Sequence, residues 1–170
     1  NILAQELNLP AENKWLLMVG SGFRTKGVDR SIRLLRFLLE HNLKINLIVI
    51  GQDSPRSFIK LSNKLKVNSN IRFLSGREDI SNFMAVSDLL LHPAYRENTG
   101  TVILESIIMG LPVIASAICG YSRYIKQSGC GEVIAEPFVQ SEFNNKTLNI
   151  LSNNTNIKLS NLGLEFRDAA

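Results

Sequence analysis

Two glutamates, Glu97 and Glu105, stand eight positions apart in the stretch LLLHPAYRENTGTVILESIIMGLPVIAS, where an apolar run gives way to a polar loop and then to a helical pattern. Carboxylates accept charge-assisted hydrogen bonds from hydroxyl groups, each worth about 1.5 to 3 kcal/mol. Glu97 falls in the loop, and Glu105 about one and a half turns into the helix that Gly100 opens. Both can therefore face one ligand. In an open α/β sheet that ligand binds beyond the carboxyl ends of the strands, where loops meet helix N-termini. Backbone N–H groups near Gly100 and Thr101 have no partner inside the helix and suit an anionic or oxygen-rich group. Two carboxylates so placed can hold a ribose and a transferred sugar together. The alternative is a solvated pair, since charged side chains mostly stay exposed.

A second loop carries cations. Gly20-Ser21-Gly22-Phe23-Arg24-Thr25-Lys26-Gly27 follows an apolar run and precedes a helical pattern. Such a loop can bring backbone N–H groups and a Lys or Arg head to a diphosphate. Its glycines do not fit G-x-G-x-x-G, and no Gly-Lys-Ser/Thr occurs, which counts against NAD and ATP. The alternative is a connecting loop with solvated cations. With no Asp-x-Asp pair and no His cluster, no metal is expected, and no Ser/His/Asp arrangement points to hydrolysis. Arg30, Arg33 and Arg36 line one side of the next helix, where they either touch an acidic lipid surface or are simply solvated. His92, beside Pro93 at a strand end, reads as a satisfied or core-lining histidine rather than a base.

Elements that position these residues alternate along the chain. Strands are expected at Lys14 to Val19, Lys44 to Ile50, Ile71 to Leu74, Leu89 to His92, Val113 to Ser116 and Glu132 to Glu136. Between them, Val28, Ile32, Leu35 and Leu39 keep helical spacing to His41. Ser54-Pro55 opens a helix with Ser as cap and Pro first, Asp79 caps a helix with Ile80, Phe83 and Met84, and a short helix covers Tyr121 to Gln127. Past Ser141 a helix runs to about Leu151, then a polar stretch from Ser152 to Asn156, then a helical start from Leu159 to Ala170. Strand and helix in alternation predict a Rossmann-like parallel α/β sheet with helices on both faces.

At 170 residues the chain is expected to be one domain, and its 45% hydrophobic content argues against disorder. Asn1 to Asn13 and the helical start at the other end suggest a piece of a larger protein. No apolar run nears the roughly 20 residues of a membrane span, and the start lacks a signal pattern, so the chain itself is expected to be soluble. Cys119 and Cys130 are expected as reduced, buried thiols, which suits a cytoplasmic setting. A net charge of +4, from 19 Lys and Arg against 15 Asp and Glu, permits a phosphate ligand or an anionic membrane surface. No pattern supports nucleic-acid binding.

The pair Glu97, seven residues, Glu105, followed by Gly110-Leu111-Pro112-Val113-Ile114-Ala115, resembles the E-x7-E signature of retaining, nucleotide-sugar-dependent glycosyltransferases with the GT-B fold. The loop ending Lys26-Gly27 resembles that family's diphosphate-binding loop. Within the family, the runs GVDRSI, GQDSPRSF, SGREDIS, LLLHPAY, CGYSRYI and VIAEPF are similar to the branch that adds glucose to the inner-core heptose of lipopolysaccharide. The likeness covers roughly residues 14 to 138.

The resemblance implies the C-terminal, donor-binding half of a GT-B enzyme, transferring glucose or another hexose from a UDP-sugar to the lipopolysaccharide core without a metal or other cofactor. The acceptor would meet an N-terminal domain that these residues do not include. A cytoplasmic location, peripheral at the inner membrane, goes with that activity. Glu105 would bind the ribose hydroxyls and Glu97 the donor sugar, with the backbone of Asn98, Thr99, Gly100 and Thr101 beside the sugar and phosphate. Lys26 would neutralise the leaving diphosphate, and Arg77 would line the base pocket. Arg24 would be the second loop cation, one place earlier than in close relatives, where Thr25 stands here. A non-catalytic sugar-nucleotide binding domain and a UDP-sugar epimerase-like GT-B domain are the alternatives.

Overall fold

The computed structural model describes residues 2–152 and 155–170. Six strands, β1 (Lys14–Val19), β2 (Ile45–Ile50), β3 (Ile71–Leu74), β4 (Leu89–His92), β5 (Val113–Ser116) and β6 (Gly131–Ile134), form one sheet in the order β3-β2-β1-β4-β5-β6. Every pairing is parallel. The helices are α1 (Ile2–Glu6), α2 (Phe23–Lys26), α3 (Val28–Glu40), α4 (Arg56–Lys64), α5 (Ile80–Val86), α6 (Thr101–Ile108), α7 (Ser122–Ser128), α8 (Gln140–Leu151) and α9 (Thr155–Ala169).

Because successive strand side chains point to opposite faces, each strand feeds two cores. Trp15 and Leu17 of β1 join Leu90, Val113 and Ala115 against α1, α5, α6 and α7. Leu16 and Met18 join Leu47, Leu89 and Ile114 against α3 and α8. Helices thus cover both faces, as the apolar runs predict for a buried parallel sheet.

Several boundaries differ from the sequence expectation. The segment Ser21 to Gly27, expected as a loop, contains the single turn α2, which buries Phe23 and whose Phe23 N–H donates to Asp53 at 2.7 Å. One turn is too short to show a helical period. Pro55, not Ser54, occupies the N-cap of α4, and no side chain caps it. Asp79 does precede α5, but its carboxylate binds Arg77 rather than a helix N–H. β6 spans Gly131–Ile134, because its ladder with β5 ends at Ser116 and Ile134. α9 starts at Thr155, four residues before the expected Leu159, while Asn153 and Asn154 of the expected polar stretch lie outside the described residues. Among the described residues, no helix is long and apolar enough to cross a membrane.

Strand order decides where chemistry can occur. Strand numbers rise outward from β1 on both sides, to β2 and β3 one way and to β4, β5 and β6 the other, so the order in which strands are added reverses between β1 and β4. A crevice opens there at the carboxyl ends of the two strands, where ligands of doubly wound sheets bind.

Candidate functional site

β1 ends at Val19 and leads through Gly20 to Lys26, while β4 ends at His92 and leads to Glu97. The two loops meet at the crevice. A cavity of about 250 Å³ there is lined by Val19, Gly20, Lys26, Glu97, Thr99, Gly100, Thr101, Val102 and Glu105. Lys26 and Glu97, 71 positions apart, form an ion pair through Nζ and Oε2.

The close approach has a backbone cause. Gly27 has φ +80°, and a Cβ there would lie 2.1 Å from the Pro93 carbonyl oxygen, so only glycine lets the two loops touch. Tyr95 N–H then donates to the Thr25 carbonyl at 2.8 Å. Gly100, at φ +75°, is less crowded, with its Cβ position 3.1 Å from Ile103 Cδ1, 3.4 Å from Glu97 Cγ and 3.6 Å from His92 Nε2, so there the left-handed backbone rather than a clash favours glycine. No side chain caps α6; Ile103 N–H donates to the Gly100 carbonyl at 2.9 Å, and Thr101 and Val102, the first two residues of the helix, line the cavity.

Electrostatics single out Glu97. Its carboxyl is held at about 2, below the ordinary 4.5, first by the hydrogen bond from His92 and then by the bond and charge of Lys26, against burial acting the other way. The His92 ring, only 2% exposed, donates from Nε2 to Glu97 Oε2 at 3.1 Å. His92 is therefore satisfied, as its position suggested, and its partner is the Glu97 carboxylate. Sequence reasoning missed that link, although His92 closes the strand five residues before Glu97.

Because the folded-state pKa of Glu97 is depressed, its contribution to stability is present above about pH 4.5 and is lost as pH falls toward 2. His92→Leu is expected to move the Glu97 titration upward, read by the 13C-carboxyl resonance, and to start acid destabilisation at higher pH. An unmoved titration would leave Lys26 alone as the group that holds the carboxylate.

Other predicted site residues divide. Glu105 is exposed on the cavity wall, one face of α6 bringing it over Thr101. Thr99, Gly100 and Thr101 line the cavity, but Asn98 does not, and its carbonyl accepts from Gly120 N–H at 3.2 Å. Arg24 is not brought there. Two residues on a helix rotate a side chain by about 200°, so Arg24 instead lines a separate cavity of about 650 Å³ with Thr25, Asp29, Ser57, Phe58 and Tyr95. Arg77 is also held elsewhere. It binds Asp79 at 2.7 Å and Glu6, which raises its pKa, and lies 4.9 Å from the centre of the Phe83 ring, joining α1 to α5.

The three arginines of α3 have different surroundings. Arg30 binds the Pro93 carbonyl at 3.0 Å and Arg36 binds Glu40 at 2.7 Å, leaving Arg33 exposed. Cys119 and Cys130 are free thiols, both buried, and burial pushes each up to about 11.

The family model for glycosyl transferases group 1 matches residues 1–165. The chain is 52% identical over 146 residues to the lipopolysaccharide glucosyltransferase WaaG of Escherichia coli K12, covering 84% of this chain and 38% of that protein. A crystal structure of WaaG superposes with a TM-score of 0.93 at 44% identity, covering 99% of this chain and 46% of that one. Anabaena HepE, solved in complex with UDP-glucose, superposes at 0.82 with 21% identity, over 99% of this chain and 46% of that one, a likeness of fold.

Proposed function

The chain belongs to the glycosyl transferases group 1 family, and on that premise we propose that it is the donor-binding domain of a retaining hexosyltransferase that moves glucose from UDP-glucose to the lipopolysaccharide core. Its fold is that of the C-terminal domain of GT-B enzymes. The chain spans 38% of the length of WaaG, so transfer, acceptor and a partner domain are proposals about the whole protein. WaaG's name, a lipopolysaccharide glucosyltransferase, supports the choice of hexose and acceptor.

One observation carries the reading: Lys26 from the β1 loop, Glu97 from the β4 loop and Glu105 from α6 line one cavity at the switch point of the sheet. Lys26 and the α6 N–H groups face the diphosphate, Glu97 the hexose and Glu105 the ribose hydroxyls. As the glycosidic bond breaks with oxocarbenium character, negative charge grows on the departing UDP. Lys26 and the helix N-terminus meet that charge in place, and the proposed reaction needs no metal. Residues 1–170 would then act as one donor domain in a cytoplasmic enzyme, peripheral at the inner membrane.

Titration with UDP, UDP-glucose and UDP-N-acetylglucosamine, followed by assay of the full-length protein with and without EDTA, tests this. Transfer to a heptose-bearing acceptor is expected, unaffected by EDTA. Epimerisation, or tight UDP binding without any transfer, would replace the reading with one of its two alternatives.

Glu105 gives a sharper check. Glu105→Gln is expected to weaken UDP by about 1.5 to 3 kcal/mol, and 2',3'-dideoxy-UDP should bind wild type and variant alike. A variant that still prefers UDP by the wild-type margin would remove Glu105 from the ribose site.

A further inference from the structure

Arg30, on the first turn of α3, does not line the donor cavity. Its guanidinium lies between the rings of Tyr95 and Phe138, 3.6 Å and 3.7 Å from their centroids. From Nη1 it donates to the carbonyl oxygens of Pro93 at 3.0 Å and Ala94 at 3.2 Å. Those carbonyls sit just past the last rung of the β4–β5 ladder, which ends at His92 and Ala115. A strand leaving its sheet presents carbonyls that no ladder receives, and both residues here are buried, so unpartnered oxygens would be costly.

Arg30 supplies the missing rungs, joined at Ala94 by the Ser116 hydroxyl at 2.7 Å. The following N–H groups, of Tyr95 and Arg96, donate to the Thr25 carbonyl at 2.8 and 3.4 Å, and the next residue is Glu97. Tyr95 is further pinned by its hydroxyl, which donates to Asp29 at 2.8 Å. Gln140, at the start of α8, donates to the Arg30 carbonyl at 3.0 Å. Each peptide from Pro93 to Arg96 thus has a fixed partner, and the guanidinium is the centre of the arrangement.

We propose that Arg30 is a positioning residue for Glu97: by receiving the Pro93 and Ala94 carbonyls between two aromatic faces, it sets where the β4 loop delivers the Glu97 carboxylate. The inference rests on the reading of Glu97 as the group that meets the donor sugar. An arginine suits the task because its flat guanidinium can donate along its edge while both faces stack. A lysine ammonium can do the first and not the second. A role in stability alone would lower melting temperature, UDP affinity and turnover together. A positioning role lowers turnover selectively, since a displacement of about 1 Å at a reacting group costs on the order of 100-fold.

The test uses the full-length protein, with transfer from UDP-glucose, UDP affinity and melting temperature measured side by side. Arg30→Lys is expected to lower kcat by about 10- to 100-fold while UDP affinity stays within about twofold of wild type. Arg33→Ala, an exposed neighbour on the same helix, should keep wild-type kcat. Millimolar methylguanidine should restore part of the activity of Arg30→Ala and none of that of Glu97→Ala. Phe138→Leu removes one stacking face and keeps both hydrogen bonds, so it should show a smaller kcat loss, and it serves in place of Arg30→Ala should that variant fail to fold. Wild-type kcat in Arg30→Lys, or kcat and UDP affinity falling equally with no guanidinium rescue, would overturn the proposal. Should the wild type transfer no hexose at all, the donor reading fails on its own. Arg30 is then judged by the Glu97 13C-carboxyl titration, which Arg30→Lys must shift and Arg33→Ala must not.

Discussion

Lys26→Ala is expected to lower kcat/KM for transfer from UDP-glucose by about 100- to 1,000-fold, the usual cost of removing a fixed donor aimed at developing negative charge. The same change should weaken UDP far more than uridine, because Lys26, which lines the cavity with Gly20 and Thr101, is the group we propose to meet the diphosphate. Raising the salt concentration should shrink the difference, since part of it is a charge interaction screened over about 8 Å at physiological ionic strength. The structure adds a second consequence. Lys26 is also the ion-pair partner of Glu97, so its loss leaves that half-buried carboxylate with His92 alone. Equal weakening of UDP and uridine, measured by calorimetry, would return the Gly20 to Gly27 segment to an ordinary connection.

Glu97→Ala is expected to have the opposite signature. Turnover of UDP-glucose by the full-length enzyme should fall by on the order of 100-fold, as for loss of a group that acts mainly in the transition state. UDP affinity should hold or improve, because removing the carboxylate frees Lys26 for the diphosphate. The two effects are coupled. In the double variant Lys26→Ala/Glu97→Ala, the change in UDP affinity should differ from the sum of the single changes, as it does for residues in direct contact. Additive behaviour would mean that the ion pair does not persist in solution. A Glu97→Ala variant that loses UDP as severely as Lys26→Ala would place Glu97 at the phosphate rather than at the sugar.

Much of this site was legible along the chain. The eight-residue spacing of Glu97 and Glu105 across a loop and a helix start is a local property, and the structure puts both on one cavity. The cationic residues were legible only as candidates. Arg24, Lys26, Arg30 and Arg77 look alike in sequence, and they go to a second cavity, the cavity of Glu97 and Glu105, the carbonyls past β4 and the carboxylates of Glu6 and Asp79 respectively. A long cation binds whichever acceptors the fold brings within reach, and those acceptors are remote in sequence: Pro93 lies 63 positions from Arg30 and Glu6 lies 71 from Arg77.

By itself the sequence determined the strands, most of the helices and the parallel α/β class, because period-2 and period-3.6 burial are written into neighbouring residues. It also determined the glycines at which the chain turns and the two carboxylates offered to a ligand. Only the tertiary structure decided that β1 lies beside β4, and hence that the Lys26 and Glu97 loops share one crevice. Hydrophobic periodicity says that a strand is buried on both faces and is silent about which strand lies next to it. That choice follows from the packing of all six strands at once, with Gly27 giving the Pro93 carbonyl room to approach.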